Sequence, residues 1–231
     1  QRFGEDELPE GIVGEEADAM ALLAVFAVHL VLVLKHAVQI QVRAVGVPAI
    51  DEIDTEECER FAAIFGGDPD PSIAARFTTR KTTWLFVGRM APNKRVEDIM
   101  QAFAWYHRAL NPNSRLILVG SPHSCPRYFA MLRMLTSDLE LRDICLEGFA
   151  GAGALASYYR LADLFICASH HEGFCLPLVE AMHHGVPVVA HNVGGIPEAL
   201  DGAGVLYAHL NPPELGALCH LIATDPSMRA E

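Results

Sequence analysis

Two basic side chains stand close together in a short loop that begins with a glycine. Arg89 and Lys94 lie five residues apart in the segment 88–95, which starts at Gly88 after an apolar run. A planar guanidinium group, an ammonium group and the amino terminus of a helix together suit a pyrophosphate. A solvated basic loop is the alternative interpretation. The segment lacks the G-x-x-x-x-G-K pattern, which excludes a Walker loop.

Two glutamates flank a second glycine-containing loop. Glu172 precedes Gly173, and Glu180 follows Pro177, a residue that suits the first turn of a helix. Gly173 opens a loop whose backbone N–H groups can point at an anion. A carboxylate close to a bound phosphate is unfavourable unless it accepts hydrogen bonds from hydroxyl groups. We therefore expect sugar or ribose hydroxyls as the partners of both carboxylates.

From residue 81 onward, short apolar runs alternate with segments of helical periodicity. This rhythm predicts an α/β domain with a parallel sheet and helices on both of its faces. The predicted strands span residues 82–87, 115–119, 144–146, 164–168, 187–190 and 205–207, and the predicted helices span 96–110, 127–139, 155–161, 176–184 and 213–224. Ligands of such sheets bind beyond the carboxyl ends of the strands, so the loops after Val87, Leu146 and Ala168 are expected on one rim.

Three segments resemble motifs of the retaining GT-B glycosyltransferases of family 4, which include glycogen-synthase-like and mannosyltransferase-like enzymes, and they follow one another along the chain as those motifs do. Segment 172–180 resembles their Glu-x7-Glu motif, segment 87–94 resembles their phosphate loop, and segment 185–198 is similar to their closing block. The resemblance covers residues 81–210 and is weak before residue 80. It implies a Rossmann-like GT-B donor domain with a partial amino-terminal segment.

The resemblance also implies a role for each matching residue. Arg89 and Lys94 would hold the donor diphosphate, Glu172 would contact the transferred sugar, and Glu180 would bind the ribose. The base would lie near Phe149. The implied catalytic residues are Glu172, Arg89 and Lys94, and the implied donor-binding residues are Gly88, Arg89, Lys94, Phe149, Gly173, Phe174, Cys175, Leu176 and Glu180.

The activity implied by the resemblance is the transfer of a hexose, mannose or glucose, from a nucleotide sugar such as GDP-mannose or UDP-glucose. The acceptor would be a saccharide or a glycolipid in polysaccharide or glycolipid assembly. Transfer would retain the anomeric configuration, with the leaving phosphate as base, and would need no metal or other cofactor. The alternative is a nucleotide-sugar-binding module without independent turnover. A Rossmann dehydrogenase is disfavoured, because no G-x-G-x-x-G follows a strand in the expected place.

The chain divides by character into two parts. Residues 1–80 are expected to form an amino-terminal remnant with a linker, and residues 81–231 the nucleotide-sugar-binding domain. A missing amino-terminal acceptor domain is the expected partner. Residues 19–34 are nearly all apolar. A membrane span needs about 20 residues, so this run is predicted to be buried in protein rather than in a bilayer.

Composition limits the other partners. The formal net charge is −12, which argues against nucleic acid as a ligand and leaves any phosphate to a few local cations and amides. None of the six cysteines forms a C-x-x-C pair, and no tetrahedral zinc set is evident. They are interpreted as reduced thiols of a cytoplasmic protein, with a peripheral position at the inner face of the membrane as a variant.

Overall fold

A six-stranded parallel sheet lies at the centre of the computed structural model, which describes residues 68–140 and 142–224. The strands are β1 (Thr82–Val87), β2 (Ser114–Val119), β3 (Ile144–Glu147), β4 (Leu164–Cys167), β5 (Val188–His191) and β6 (Val205–Tyr207). The helices are α1 (Pro71–Arg76), α2 (Val96–Ala109), α3 (Pro126–Asp138), α4 (Ala152–Leu161), α5 (Leu176–His183), α6 (Ile196–Leu200) and α7 (Pro212–Thr224), with a 3₁₀ turn at Pro92–Lys94.

The strand order is β3-β2-β1-β4-β5-β6, and every neighbouring pair is parallel. The order reverses direction between β1 and β4, which are neighbours although α2, β2, α3, β3 and α4 separate them in the chain. In sheets of this kind the crevice for a ligand opens at the carboxyl end of the two strands that flank such a reversal. The predicted Rossmann-like α/β fold is confirmed, and the two charged loops leave the strands on either side of this crevice.

Helices cover both faces of the sheet, as predicted. Alternate side chains of β1 enter different apolar clusters: Trp84 and Phe86 pack with α2, α3 and α7, whereas Leu85 packs with α4, α5 and α6. This division follows from the two-residue period of a strand whose two faces are both buried. The rim of the sheet is therefore held from both sides by an apolar core.

The predicted boundaries of the long elements differ from the observed ones by up to three residues. The short elements α1, α6 and the 3₁₀ turn were not predicted, and α1 replaces the end of a predicted linker. The Asp70 carboxylate accepts a hydrogen bond from the Ser72 N–H group at 2.9 Å, which caps α1. Ile73 is buried, and the Asp70 N–H group donates to the Gly153 carbonyl at 3.2 Å, so α1 packs against α4.

The amino-terminal part named in the domain prediction, apart from residues 68–80, lies outside the described residues, as does the apolar run 19–34. The division at residue 80 stays a prediction. Within the described part of the chain, no helix combines the length and the apolar character that crossing a bilayer requires.

Candidate functional site

The loop after β1 presents its two cations differently. Its shape depends on the 3₁₀ turn at Pro92–Lys94 and on Arg95, whose backbone is left-handed with φ 51°. Arg95 pairs with Asp98 at 2.8 and 2.9 Å, which offsets part of the cost of that backbone conformation. Arg89 is exposed and has no ion-pair partner among the described residues. Lys94, in contrast, points inward, and its side chain is 12% exposed.

The loop after β4 packs against two glycines, Gly194 and Gly195, of segment 185–198. A Cβ atom at Gly194 would lie 2.2 Å from the Glu172 carbonyl oxygen, and one at Gly195 would lie 1.9 Å from the Gly173 carbonyl oxygen. The Gly195 N–H group also donates to the Glu172 carbonyl at 3.2 Å. The close backbone approach thus requires glycine at both positions, and it fixes the position of the Glu172 backbone.

Glu172 and Lys94 form an ion pair that joins the two loops. The Glu172 side chain is 9% exposed, and its Oε1 atom also accepts a hydrogen bond from Ser169 Oγ at 2.6 Å. The backbones meet as well, since the His170 N–H group donates to the Asn93 carbonyl at 2.8 Å. The resemblance implies separate partners for Lys94 and Glu172, whereas in the structure the two side chains form an ion pair with each other.

Glu180 lies on α5 and is held by a neutral group. The Tyr159 hydroxyl donates to Glu180 Oε2 at 2.6 Å and lies 3.1 Å from the Pro177 carbonyl. Burial, and then the charge of Glu180, raises the pKa of Tyr159, so this phenol stays protonated. Sequence reasoning missed Tyr159, because a tyrosine on a predicted helix carries no signal that it meets a residue 21 positions later.

Backbone N–H groups and apolar side chains complete the rim. The N–H groups of residues 173–176 donate to no acceptor within the described ranges, and they precede or open α5. Such groups at a helix amino terminus attract anions. Phe174 and Leu176 are 59% and 44% exposed, and Phe149, after β3, is 84% exposed. Gly88 continues the β1 ladder, with its N–H group 3.0 Å from the Val119 carbonyl.

Two cysteines lie close to the Glu172 carboxylate. Cys167 ends β4 and is buried, and Cys175 precedes α5 in a left-handed conformation with φ 57°. Their Sγ atoms are 3.9 Å apart, and these atoms and a Glu172 carboxylate oxygen lie within 4.8 Å of one another. The hydrogen bond with Cys167, and then burial, raises the pKa of the Cys175 thiol. The two cysteines are eight residues apart and show no C-x-x-C spacing, so only the geometry of the strand and the loop brings them together.

Several known proteins are similar to this chain. The D-inositol 3-phosphate glycosyltransferase of Acidothermus cellulolyticus is 36% identical over 157 residues, which are 64% of this chain and 34% of that protein. The protein of the same name from Mycolicibacterium gilvum is 30% identical over 96% of this chain, and therefore over most of residues 1–80, and over 46% of its own length. The chain thus spans between a third and a half of these relatives.

Solved structures show the same fold. Sucrose-phosphate synthase from Thermosynechococcus elongatus matches 71% of this chain and 42% of its own, with TM-score 0.58 and 27% identity. Anabaena HepE in complex with UDP-glucose matches 72% and 46%, with TM-score 0.62 and 23% identity. The family model described as glycosyl transferases group 1 matches residues 73–231. Since that match spans well over half of the sequence, the chain belongs to the group 1 glycosyltransferases.

Proposed function

We propose that this chain binds the donor substrate of a retaining family 4 glycosyltransferase that moves mannose or glucose from a nucleotide sugar to a saccharide or lipid-linked acceptor. The observation that carries the proposal is the Lys94–Glu172 ion pair at the crevice between β1 and β4. It brings together a cation of the kind that suits a phosphate and a carboxylate of the kind that suits sugar hydroxyls. The complex of the HepE relative with UDP-glucose supports a nucleotide sugar as donor.

In this proposal the diphosphate lies between the β1 loop and the amino terminus of α5. The leaving nucleoside diphosphate gains negative charge as the bond to the sugar breaks. Arg89, which is exposed and unpaired within the described part of the chain, turns toward it, and the N–H groups of residues 173–176 donate to it. Preorganised donors of this kind stabilise charge that develops in a transition state.

Glu172 accepts hydroxyl hydrogens of the transferred sugar in this proposal. Lys94 and Ser169 both contact Oε1, and Oε2 has no hydrogen-bond partner among residues 68–140 and 142–224. Oε2 is therefore available to the sugar while Oε1 stays fixed. The acceptor hydroxyl attacks from the side of the leaving phosphate, which takes its proton, so the anomeric configuration is retained.

Glu180 binds the ribose, and Phe149 contacts the base. Tyr159 fixes Oε2 of Glu180, which leaves Oε1 to accept ribose hydroxyls. The Phe149 ring is almost fully exposed to solvent just after β3, so a flat base that stacks on it would bury apolar surface. The acceptor binds on an amino-terminal domain across the crevice, and the enzyme works in the cytoplasm, at the membrane face where the acceptor is lipid-linked.

Calorimetric titration of the full chain with UDP, GDP, UDP-glucose and GDP-mannose tests the donor site directly. We expect one nucleotide to bind tightly and its sugar form to bind through Glu172 as well. Incubation with the preferred donor and candidate acceptors, followed by NMR of the product, then reports the anomeric configuration. Binding without product would favour the nucleotide-sugar-binding module, and an inverted product would contradict retention. No binding of any nucleotide would overturn the proposal.

A further inference from the structure

The proposed donor chemistry uses Glu172 and gives no role to the two thiols beside it, those of Cys167 and Cys175. We propose that Cys167, Cys175 and Glu172 form a binding site for a thiophilic divalent cation such as Zn²⁺, and that the bound ion competes with the donor sugar for Glu172. The metal site itself follows from the geometry and charge of these residues and does not depend on the proposed function. The competition rests on the proposed function, because it requires Glu172 to contact the sugar.

The separation of the ligand atoms fits such an ion. Zinc binds thiolate sulfur at about 2.3 Å in a tetrahedral arrangement, which places two sulfur ligands roughly 3.8 Å apart. The Sγ atoms of Cys167 and Cys175 are 3.9 Å apart, and a Glu172 carboxylate oxygen lies within 4.8 Å of both. The ion therefore needs only small side-chain movements.

The two sulfurs are held by rigid elements on opposite ends of the loop. Cys167 is the last residue of β4, in the centre of the sheet, and Cys175 directly precedes α5. Ordinary buried cysteines behave as small apolar side chains and need no partner. Cys219 is an example, since it is fully buried in the apolar cluster beside α2. Cys167 and Cys175 differ from it because their sulfurs face each other and a carboxylate.

Charge around the cluster also suits a divalent ion. Two thiolates and a carboxylate bring three negative charges, and the ion cancels two of them. Lys94, already paired with Glu172, offsets the third. Ser169 donates to Oε1 of Glu172, and outer hydrogen bonds of this kind orient metal-binding carboxylates. With three protein ligands the fourth tetrahedral position is open to water.

Metal titration of the reduced, metal-free full chain tests the site without any nucleotide. We expect one Zn²⁺ per chain in competition with a chromophoric chelator, and a thiolate-to-metal charge-transfer band when Co²⁺ replaces Zn²⁺. Cys167→Ser and Cys175→Ser should each weaken binding by more than about 100-fold, since even outer-sphere changes cost about 10–100-fold. Glu172→Gln should weaken binding and keep the band.

Cys125→Ser is the matched control, because Cys125 also directly precedes a helix, α3, and has no cysteine partner in the described ranges. It should bind the ion like the unaltered chain. Thermal unfolding identifies variants that fail to fold, and Cys175→Ala provides a second test at the less buried cysteine. Equal affinity in the unaltered chain and both Ser variants, or cobalt binding without the charge-transfer band, would overturn the site.

Donor titrations with and without Zn²⁺ test the competition. The ion should weaken binding of the nucleotide sugar and leave the sugarless nucleotide unchanged. If Zn²⁺ binds and the affinity for the nucleotide sugar is unchanged, the competition is wrong. If the metal-free chain binds no nucleotide, the proposed function fails, while the metal titration still decides the site.

Discussion

Glu172 and Glu180 follow the same strand, β4, and the fold holds them by opposite means. Glu172 pairs with the cation of Lys94, which joins two loops, whereas Glu180 accepts a hydrogen bond from the neutral Tyr159 hydroxyl. A cation offsets the charge of the carboxylate, and a phenol leaves that charge in place. In the proposed donor site, a carboxylate paired with a cation is tolerable beside the diphosphate, and a carboxylate without a cation suits the ribose. We therefore expect the surroundings of each glutamate, more than its residue type, to decide which part of the donor it contacts.

The strongest way to break this comparison is to remove the cation. Lys94→Met leaves the Glu172 carboxylate nearly buried and unpaired, so the free energy of unfolding should fall by on the order of 3 kcal/mol. Glu172→Gln in the same chain should restore much of that loss, because no charge is then left unpaired. Urea denaturation of the two single variants and the double variant measures the coupling. Additive changes would show that the pair contributes little.

The exposed cation of the same loop should act on binding and not on stability. Arg89→Ala removes the proposed charge-assisted contact to the diphosphate, and we expect this to cost about 1.5–3 kcal/mol of binding free energy, or one to two decades in nucleotide affinity. The free energy of unfolding should change by less than about 0.5 kcal/mol, since Arg89 is exposed. Calorimetry with Arg133→Ala, an exposed arginine within α3, is the control. An equal effect of both substitutions would contradict the phosphate role.

Substitutions of the two glutamates should affect nucleoside diphosphate and nucleotide sugar differently. Glu180→Ala should weaken nucleoside diphosphate and nucleotide sugar alike, by about tenfold, because its proposed partner, the ribose, is present in both. Glu172→Gln should weaken the nucleotide sugar and leave the sugarless nucleotide nearly unchanged. The four titrations are measured with the nucleotide that the unaltered chain prefers. Parallel losses in both variants would refute the division of labour.

The sequence predicted the sheet because its strands are buried on both faces, and such runs are conspicuous. Segments such as 84–87 and 164–168 are apolar at successive positions, and a glycine directly follows the first of them. The short α1 was missed because a helix of six residues makes fewer than two turns, which is too few for apolar spacing to repeat, and because it depends on one cap, at Asp70.

The sequence predicted which loops form the candidate site, but not which side chains contact one another there. Arg89, Lys94, Glu172 and Glu180 stand out by charge and by motif. The pairing of Lys94 with Glu172, over 78 positions, depends on β1 and β4 being neighbours in the sheet. Tyr159 and the Cys167–Cys175 contact are likewise products of tertiary packing. A motif places a residue on a rim, and the strand order decides what it meets there.

The smallest expected effect concerns Tyr159, whose hydroxyl positions Glu180. Tyr159→Phe keeps the ring, which packs on His184 and in the core, and removes one hydrogen bond. The expected loss is about 1 kcal/mol in the free energy of unfolding and a few-fold in affinity for both nucleotide forms. A purely structural role would lower stability and leave affinity unchanged.

Tyr158→Phe is the matched control, since the Tyr158 hydroxyl donates to Glu147 of β3 at 2.9 Å rather than to Glu180. It should lose similar stability with no change in nucleotide affinity, so equal affinity losses in the two variants would assign the effect to α4 as a whole. A double-mutant cycle then tests whether the phenol acts through the carboxylate. If it does, Tyr159→Phe lowers the nucleotide affinity of the unaltered chain but causes no further loss in a chain that already carries Glu180→Ala.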